Sequence, residues 1–212
     1  MTKPDSTLIV VILDRSGSMN LLASDTLGGF NSFVNEQKAI KTGEARLHLV
    51  QFSDDVTVTH EFLPLDQVPP LTTEHYRPHG NTALLDAIGS TITGIGACLN
   101  AMAEEDRPEQ VVFVIMTDGE ENASRAVTKD QAAQMIKHQT EVYKWDFIFL
   151  GANFDAIKGG GALGIQATTS MTYQNNRGGI LRSLGAVSQN IGVYRQTKLK
   201  TNLAFTPDQR QD

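Results

Sequence analysis

The chain has one cysteine, Cys98, in 212 residues. A single thiol can build neither an internal disulfide framework nor a thiolate zinc cluster. A surplus of positive charge is also missing: 18 Lys+Arg stand against 24 Asp+Glu, a formal net charge of -6. No basic run interrupts that balance, so neither nucleic acid nor an anionic membrane is expected as a partner. The longest apolar runs, at 8–13 and 111–116, fall far short of the roughly 20 residues that cross a bilayer. The opening MTKPDSTLIVV has no signal-peptide pattern, from which a cytoplasmic location is expected. Phosphate-binding loops of the G-x-x-x-x-G-K-[ST] type, H-E-x-x-H and a nucleophile elbow are all absent, so no enzymatic activity is expected.

What is present is an alternation of strand and helix signals. Residues 7–13 and 111–116 are continuous apolar runs rich in Val and Ile. They are too short for helices and read as strands buried on both faces, the habit of parallel sheets. Residues 145–150 read as a third buried strand, 46–53 alternate as a strand, and 56–62 follow a tight Asp54-Asp55 turn as an antiparallel edge partner. Helical spacing marks 25–41, 82–103, 128–143, 154–163 and 178–194. Residues 166–171 predict an edge strand. The stretch 63–80 carries Pro64, Pro69, Pro70 and Pro78, which argues against regular structure. This pattern predicts an α/β fold: a Rossmann-like, doubly wound, mostly parallel sheet with one antiparallel edge strand and helices on both faces. One domain is expected over 1–195, with a loosely docked polar tail over 196–212.

In such sheets the working crevice lies at the carboxyl ends of the strands, where the strand order reverses. The loop after the first buried strand reads DRSGSM, with Asp14, Ser16 and Ser18; the loop after the second reads TDGEEN, with Asp118. Between them, Thr82 opens a predicted helix in GNTALLDAIG. Two carboxylates and three hydroxyls thus come from three loops at one sheet edge. All five are hard oxygen donors, which suit Mg²⁺ or Mn²⁺ better than zinc or copper. Hydroxyls bring no formal charge; if one or both aspartates act through water, such a site stays electropositive and accepts an external anion. The competing reading has Ser16 and Ser18 capping a turn and Asp118 capping a helix.

The order D-x-S-x-S, then T, then D resembles the metal-ion-dependent adhesion site of von Willebrand factor type A domains. Asp14, Ser16 and Ser18 match its first motif, Thr82 its second and Asp118 its third, and no position is substituted. The likeness runs over residues 7 to 194, and the wording LDRSGSM, GNTALLDAIG, MTDGEEN and FIFLGAN is similar to single-domain bacterial and phage members. The resemblance implies a site that binds Mg²⁺ or Mn²⁺, completed by an acidic side chain of a partner protein. A metal-assisted phosphoester hydrolase is the alternative, although aspartate-phosphatase chemistry wants a second Asp where Ser16 stands. A structural subunit braced by the metal is a third possibility.

Other candidates have plainer readings. Gly17 is expected to supply a positive φ or a close approach. Arg15, Glu120, Glu121 and Asn122 read as solvated rim residues beside the site. Asn153 and Asp155 border the third loop, with Asp155 expected as a helix N-cap. His75 and His79 have i, i+4 spacing, but Pro78 disfavours the helix that would align them as a zinc pair. His48, His60 and His138 read as surface or strand-face residues, and Trp145 as a packing residue.

Overall fold

A computed structural model describes residues 1–152 and 155–211. Six strands form one sheet in the order β3-β2-β1-β4-β5-β6. They are β1 (Lys3–Asp14), β2 (Glu44–Phe52), β3 (Val56–Pro64), β4 (Pro108–Thr117), β5 (Asp146–Ala152) and β6 (Ser170–Tyr173). All neighbours are parallel except β2 and β3. The helices are α1 (Ala23–Ala39), α2 (Leu84–Ala101), α3 (Lys129–Val142), α4 (Ala156–Ala162) and α5 (Arg177–Thr197). The Rossmann-like α/β architecture read from the alternation is the one observed.

Period-two geometry divides β1 between two cores. Ile9, Val11 and Leu13 face a core built with Phe30 and Phe33 of α1 and Ile180, Leu184 and Val187 of α5. Leu8, Val10 and Ile12 face a second core with Ile88 and Ile92 of α2, Ile136 of α3 and Phe113 of β4. Trp145 packs there, stacked on Phe113 with ring centroids 5.3 Å apart. The chain runs outward from β1 on both sides, to β2 and to β4. The carboxyl ends of β1 and β4 therefore lie side by side, with Leu13 opposite Met116.

Several boundaries differ from the sequence reading. β1 begins at Lys3, because Lys3 pairs with Pro108 across an irregularity that precedes Thr7; Asp5 takes a positive φ of 53° there. β6 begins only at Ser170, since 167–169 form a 3-10 turn. The helix expected from residue 154 begins at Ala156, with Asp155 as its N-cap accepting from Lys158 N at 3.0 Å; Asn153 and Phe154 lie outside the described residues. Val142, the last residue of α3, is 55 % exposed. α2 is long and apolar enough by composition to cross a membrane, with 18 residues and a mean hydropathy of 1.2. Its apolar face is instead packed on the sheet.

The tail also departs from expectation. Two 3-10 turns, Lys200–Leu203 and Asp208–Arg210, bring Leu203 and Phe205 into the α1–α5 core. Arg210 donates to the carbonyls of Ser170, Ala167 and Thr168 at 2.7, 2.9 and 2.9 Å. Apolar burial at two positions explains why a segment of mostly polar composition is seated and not loose.

Candidate functional site

The loops that carry Asp14 and Asp118 each start where a buried strand ends. Asp14 is the last residue of β1 and is fully buried. Its Oδ1 accepts from Ser16 N at 2.7 Å and its Oδ2 from Thr117 Oγ1 at 2.6 Å. The local i, i+2 bond bends the chain so that Ser16 turns back over the strand end. Burial pushes the Asp14 carboxyl above the usual carboxylate range; the Thr117 and Ser16 donors oppose the shift, and the neighbouring Asp118 adds to it.

The oxygens form a string. Ser16 Oγ lies 3.0 Å from Ser18 Oγ, and Ser18 Oγ donates to Asp118 Oδ1 at 2.7 Å. Asn175 Nδ2 approaches Asp118 Oδ2 at 3.4 Å. Asp118 directly follows β4 and is buried, whereas Ser18 is exposed. Thr82 is buried two residues ahead of α2, with its hydroxyl facing Gly119, the residue after Asp118. The structure thus brings all five sequence-predicted residues to one place. Ser16, the N-cap residue of the Gly17–Leu22 turn, makes no side-chain cap bond. Among the described residues the Thr82 hydroxyl forms no hydrogen bond.

The loops are tied to one another. Gly17 N donates to Gly80 O at 3.0 Å. A Cβ on Gly17 would stand 3.2 Å from that oxygen, so close approach is what this glycine provides. The positive φ belongs to Gly80, at 71°. Thr82 N donates to Asn122 Oδ1 at 2.9 Å, and Asn122 N to Thr82 O at 3.1 Å. Glu121 accepts from Leu85 N, Ala123 N and Ser124 N at 2.9, 2.9 and 2.6 Å and from Ser124 Oγ at 2.7 Å. Glu121 is half-buried and Asn122 is exposed, as expected at a rim, yet both also sew the loop after β4 to the start of α2. Arg15 is likewise engaged, with its side chain 14 % exposed and Nη2 2.6 Å from Asp55 Oδ2. Glu120 is exposed. His79 faces Ser53 Oγ at 3.3 Å and Asp55 Oδ1 at 3.5 Å, while His75 Nδ1 contacts Thr72 Oγ1 at 2.9 Å, so the two imidazoles have different neighbours.

Three supporting residues escaped the sequence reading. Thr117 holds Asp14, Tyr76 OH donates to Asp14 O at 2.7 Å, and Tyr173 OH donates to Thr117 O at 3.2 Å. Both tyrosines are buried, and burial drives both phenols well above their ordinary range. Thr117 had a signal, since it directly precedes Asp118 at the strand end. Tyr76 had none, because it reaches the site from the proline-rich stretch through tertiary packing alone.

The donor set fits a small hard divalent cation. Six oxygens at about 2.1 Å around such an ion sit about 3.0 Å from their neighbours in an octahedron. The Ser16–Ser18 and Ser18–Asp118 separations of 3.0 and 2.7 Å are close to that spacing before any ion is considered. Two carboxylates balance a double charge, and the exposed Ser18 leaves one side of the cluster open to solvent.

The von Willebrand factor type A domain family matches residues 9–153. No curated protein matches the chain. Among solved structures, proximal thread matrix protein 1 from the mussel byssus with a zinc-occupied MIDAS motif, where MIDAS denotes the metal-ion-dependent adhesion site, superposes with a TM-score of 0.60 at 16% identity. That match covers 87% of this chain and 47% of that one. A von Willebrand factor type A protein from Catenulispora acidiphila gives a TM-score of 0.59 at 14% identity, covering 86% and 42%. The PilB minor pilin from Streptococcus sanguinis gives 0.59 at 12% identity, covering 88% and 61%. The chain therefore spans about half the length of the first two and under two thirds of the third. With the motif residues gathered at the β1–β4 switch point and the family match covering most of its length, the chain belongs to the von Willebrand factor type A domain family.

Proposed function

We propose that this chain is a protein-binding module that depends on a divalent cation, Mg²⁺ or Mn²⁺, held by Asp14, Ser16, Ser18, Thr82 and Asp118. The observation that carries the reading is the hydrogen-bonded string from Ser16 through Ser18 to Asp118, set beside a buried Asp14 whose burial disfavours its charge. A cluster of this kind gains by receiving a cation, which replaces hydroxyl–carboxylate hydrogen bonds with direct charge balance. The bound ion supplies an electropositive position for an external carboxylate. Three of the five donors are neutral hydroxyls; with one aspartate acting through water, the position stays positive enough to attract a Glu or Asp side chain of a partner. Zinc occupies the corresponding motif in the mussel protein; an all-oxygen donor set favours Mg²⁺ or Mn²⁺ in this chain.

Thr117 and Tyr76 hold Asp14 in place, and Asn122 and Glu121 hold the Thr82 segment, so the donors are preorganised on two strand ends and a helix start. No nucleophile–base pair stands among them, which supports binding without turnover. Capture of partners on immobilised protein tests the reading. With Mg²⁺ the wild type retains a partner that EDTA releases and that Asp14→Ala fails to retain. Equal recovery in all three conditions removes the proposal.

A further inference from the structure

At the opposite end of the sheet from the metal cluster, Arg195 lies in the last turn of α5 and is only 5 % exposed. Burying a guanidinium is costly unless a carboxylate and full hydrogen bonding offset it. Among the described residues Arg195 forms no ion pair. Its Nη1 donates to Gln37 O at 2.9 Å and to Gln37 Oε1 at 3.1 Å. Gln37 is itself fixed, with Nε2 donating to Ser188 O at 2.8 Å and Ser188 Oγ at 3.0 Å. The partial negative charge at the C-terminal end of α1 compensates part of the burial. It leaves the other edge of the guanidinium unused: Nε is buried without a partner, and among the described residues Nη2 makes no hydrogen bond. Nε is closed off from solvent, so the donors left for a ligand are the two N–H groups of Nη2.

Arg195 lines a pocket of about 390 Å³ that also takes in Lys38, Lys41, Arg46, Glu44 and Asp66. Four cations stand there against two carboxylates, and Glu44 is already paired with Lys3 at 2.7 Å. One donor of Lys38 reaches Val68 O at 2.7 Å, which keeps its ammonium at the rim with two donors to spare. An excess of two positive charges suits a dianion better than a single carboxylate. The guanidinium is recessed, so only a small group can reach it.

We propose that this pocket binds the phosphate group of a small soluble molecule, held by Nη2 of Arg195 and neutralised by Lys38, Lys41 and Arg46. The site is separate from the metal cluster and does not rest on the function proposed for it.

The test is calorimetric titration and thermal melting of the full chain in metal-free buffer, with inorganic phosphate against chloride at equal ionic strength. The expected result is saturable binding at one site with a rise in Tm. Lys41→Ala combined with Arg46→Ala, both exposed positions, weakens phosphate by about fivefold. Arg195→Lys keeps the charge, loses the Nη2 donors and weakens it by about tenfold. Asp118→Ala leaves phosphate affinity unchanged. Tighter binding of phenyl phosphate than of inorganic phosphate assigns the ligand to a phosphomonoester, and equal binding assigns it to the free ion. Three results overturn the proposal: no saturable binding beyond chloride, phosphate affinity unaltered in both pocket variants, or acetate binding as tightly as phosphate.

Discussion

Asp14 concentrates the electrostatic problem of this molecule in one side chain. Its carboxyl is buried, and burial raises its pKa above the ordinary value while Asp118 adds to the rise. Without a cation, the folded state then holds this proton more tightly than the unfolded state does. The linkage contribution is favourable below the usual carboxylate range and is lost as pH climbs from the unfolded value through the folded one. A cation favours the ionised form, so the stability it adds grows with pH across the same interval. Melting curves with and without Mg²⁺ between pH 4 and pH 8 measure this: the gap in Tm widens as pH rises, and a gap independent of pH contradicts it. Thr117 supplies a second check at this scale. Thr117→Val removes the 2.6 Å donor to Asp14 Oδ2 and keeps the side-chain shape. Cation affinity falls by about ten- to a hundredfold, read by titration, while the fold stays intact by circular dichroism.

Among the elements, the loop after β4 is the least independent. Residues 119–127 contain no helix or strand. They are held by two carboxylates, Glu121 and Asp86, the latter accepting from Arg125 N, Ala126 N and Val127 N at 2.8, 3.0 and 2.8 Å. Glu121→Ala leaves Leu85 N, Ala123 N and Ser124 N without that acceptor, at a cost of about 1–3 kcal/mol, and it loosens the segment carrying Thr82. Urea unfolding measures the first effect and Mg²⁺ titration the second; a variant as stable as wild type refutes the clamp. Thr128 caps α3 in a reciprocal box with Gln131, and Thr128→Ala costs about 1 kcal/mol in the same assay. These elements also show what a sequence discloses. β1, β4 and α2 were legible because their patterns are long and periodic, and Asp14, Ser16, Ser18 and Asp118 because they sit at strand ends. Thr82 was legible by motif alone, since α2 starts two residues later. The acceptor roles of Glu121 and Asn122 went unread because they depend on where backbone N–H groups of another element point. Tyr76 and Arg195 were invisible for a similar reason: long-range packing, not local pattern, gives each its partners.

At the scale of the whole molecule, one sheet carries chemistry at its carboxyl edge and is closed on its far side by the tail. Leu203 and Phe205 are 1 % and 6 % exposed, and Asn190 Nδ2 reaches Leu203 O and Ala204 O at 3.4 and 3.2 Å. Leu203→Ala is expected to cost about 2–5 kcal/mol, read by denaturant unfolding, with cation affinity unchanged because the site lies at the strand ends. A loss under about 0.5 kcal/mol contradicts the tail's place in the core. The central claim is that folding gathers five oxygen donors into one divalent-cation site. Isothermal titration of the purified chain with Mg²⁺ at neutral pH, beside Asp118→Ala, tests it most directly. The account predicts saturable one-to-one binding in the wild type that the variant loses while still folded. No binding heat and no rise in Tm at millimolar Mg²⁺ or Mn²⁺, or equal binding by Asp118→Ala, would contradict it.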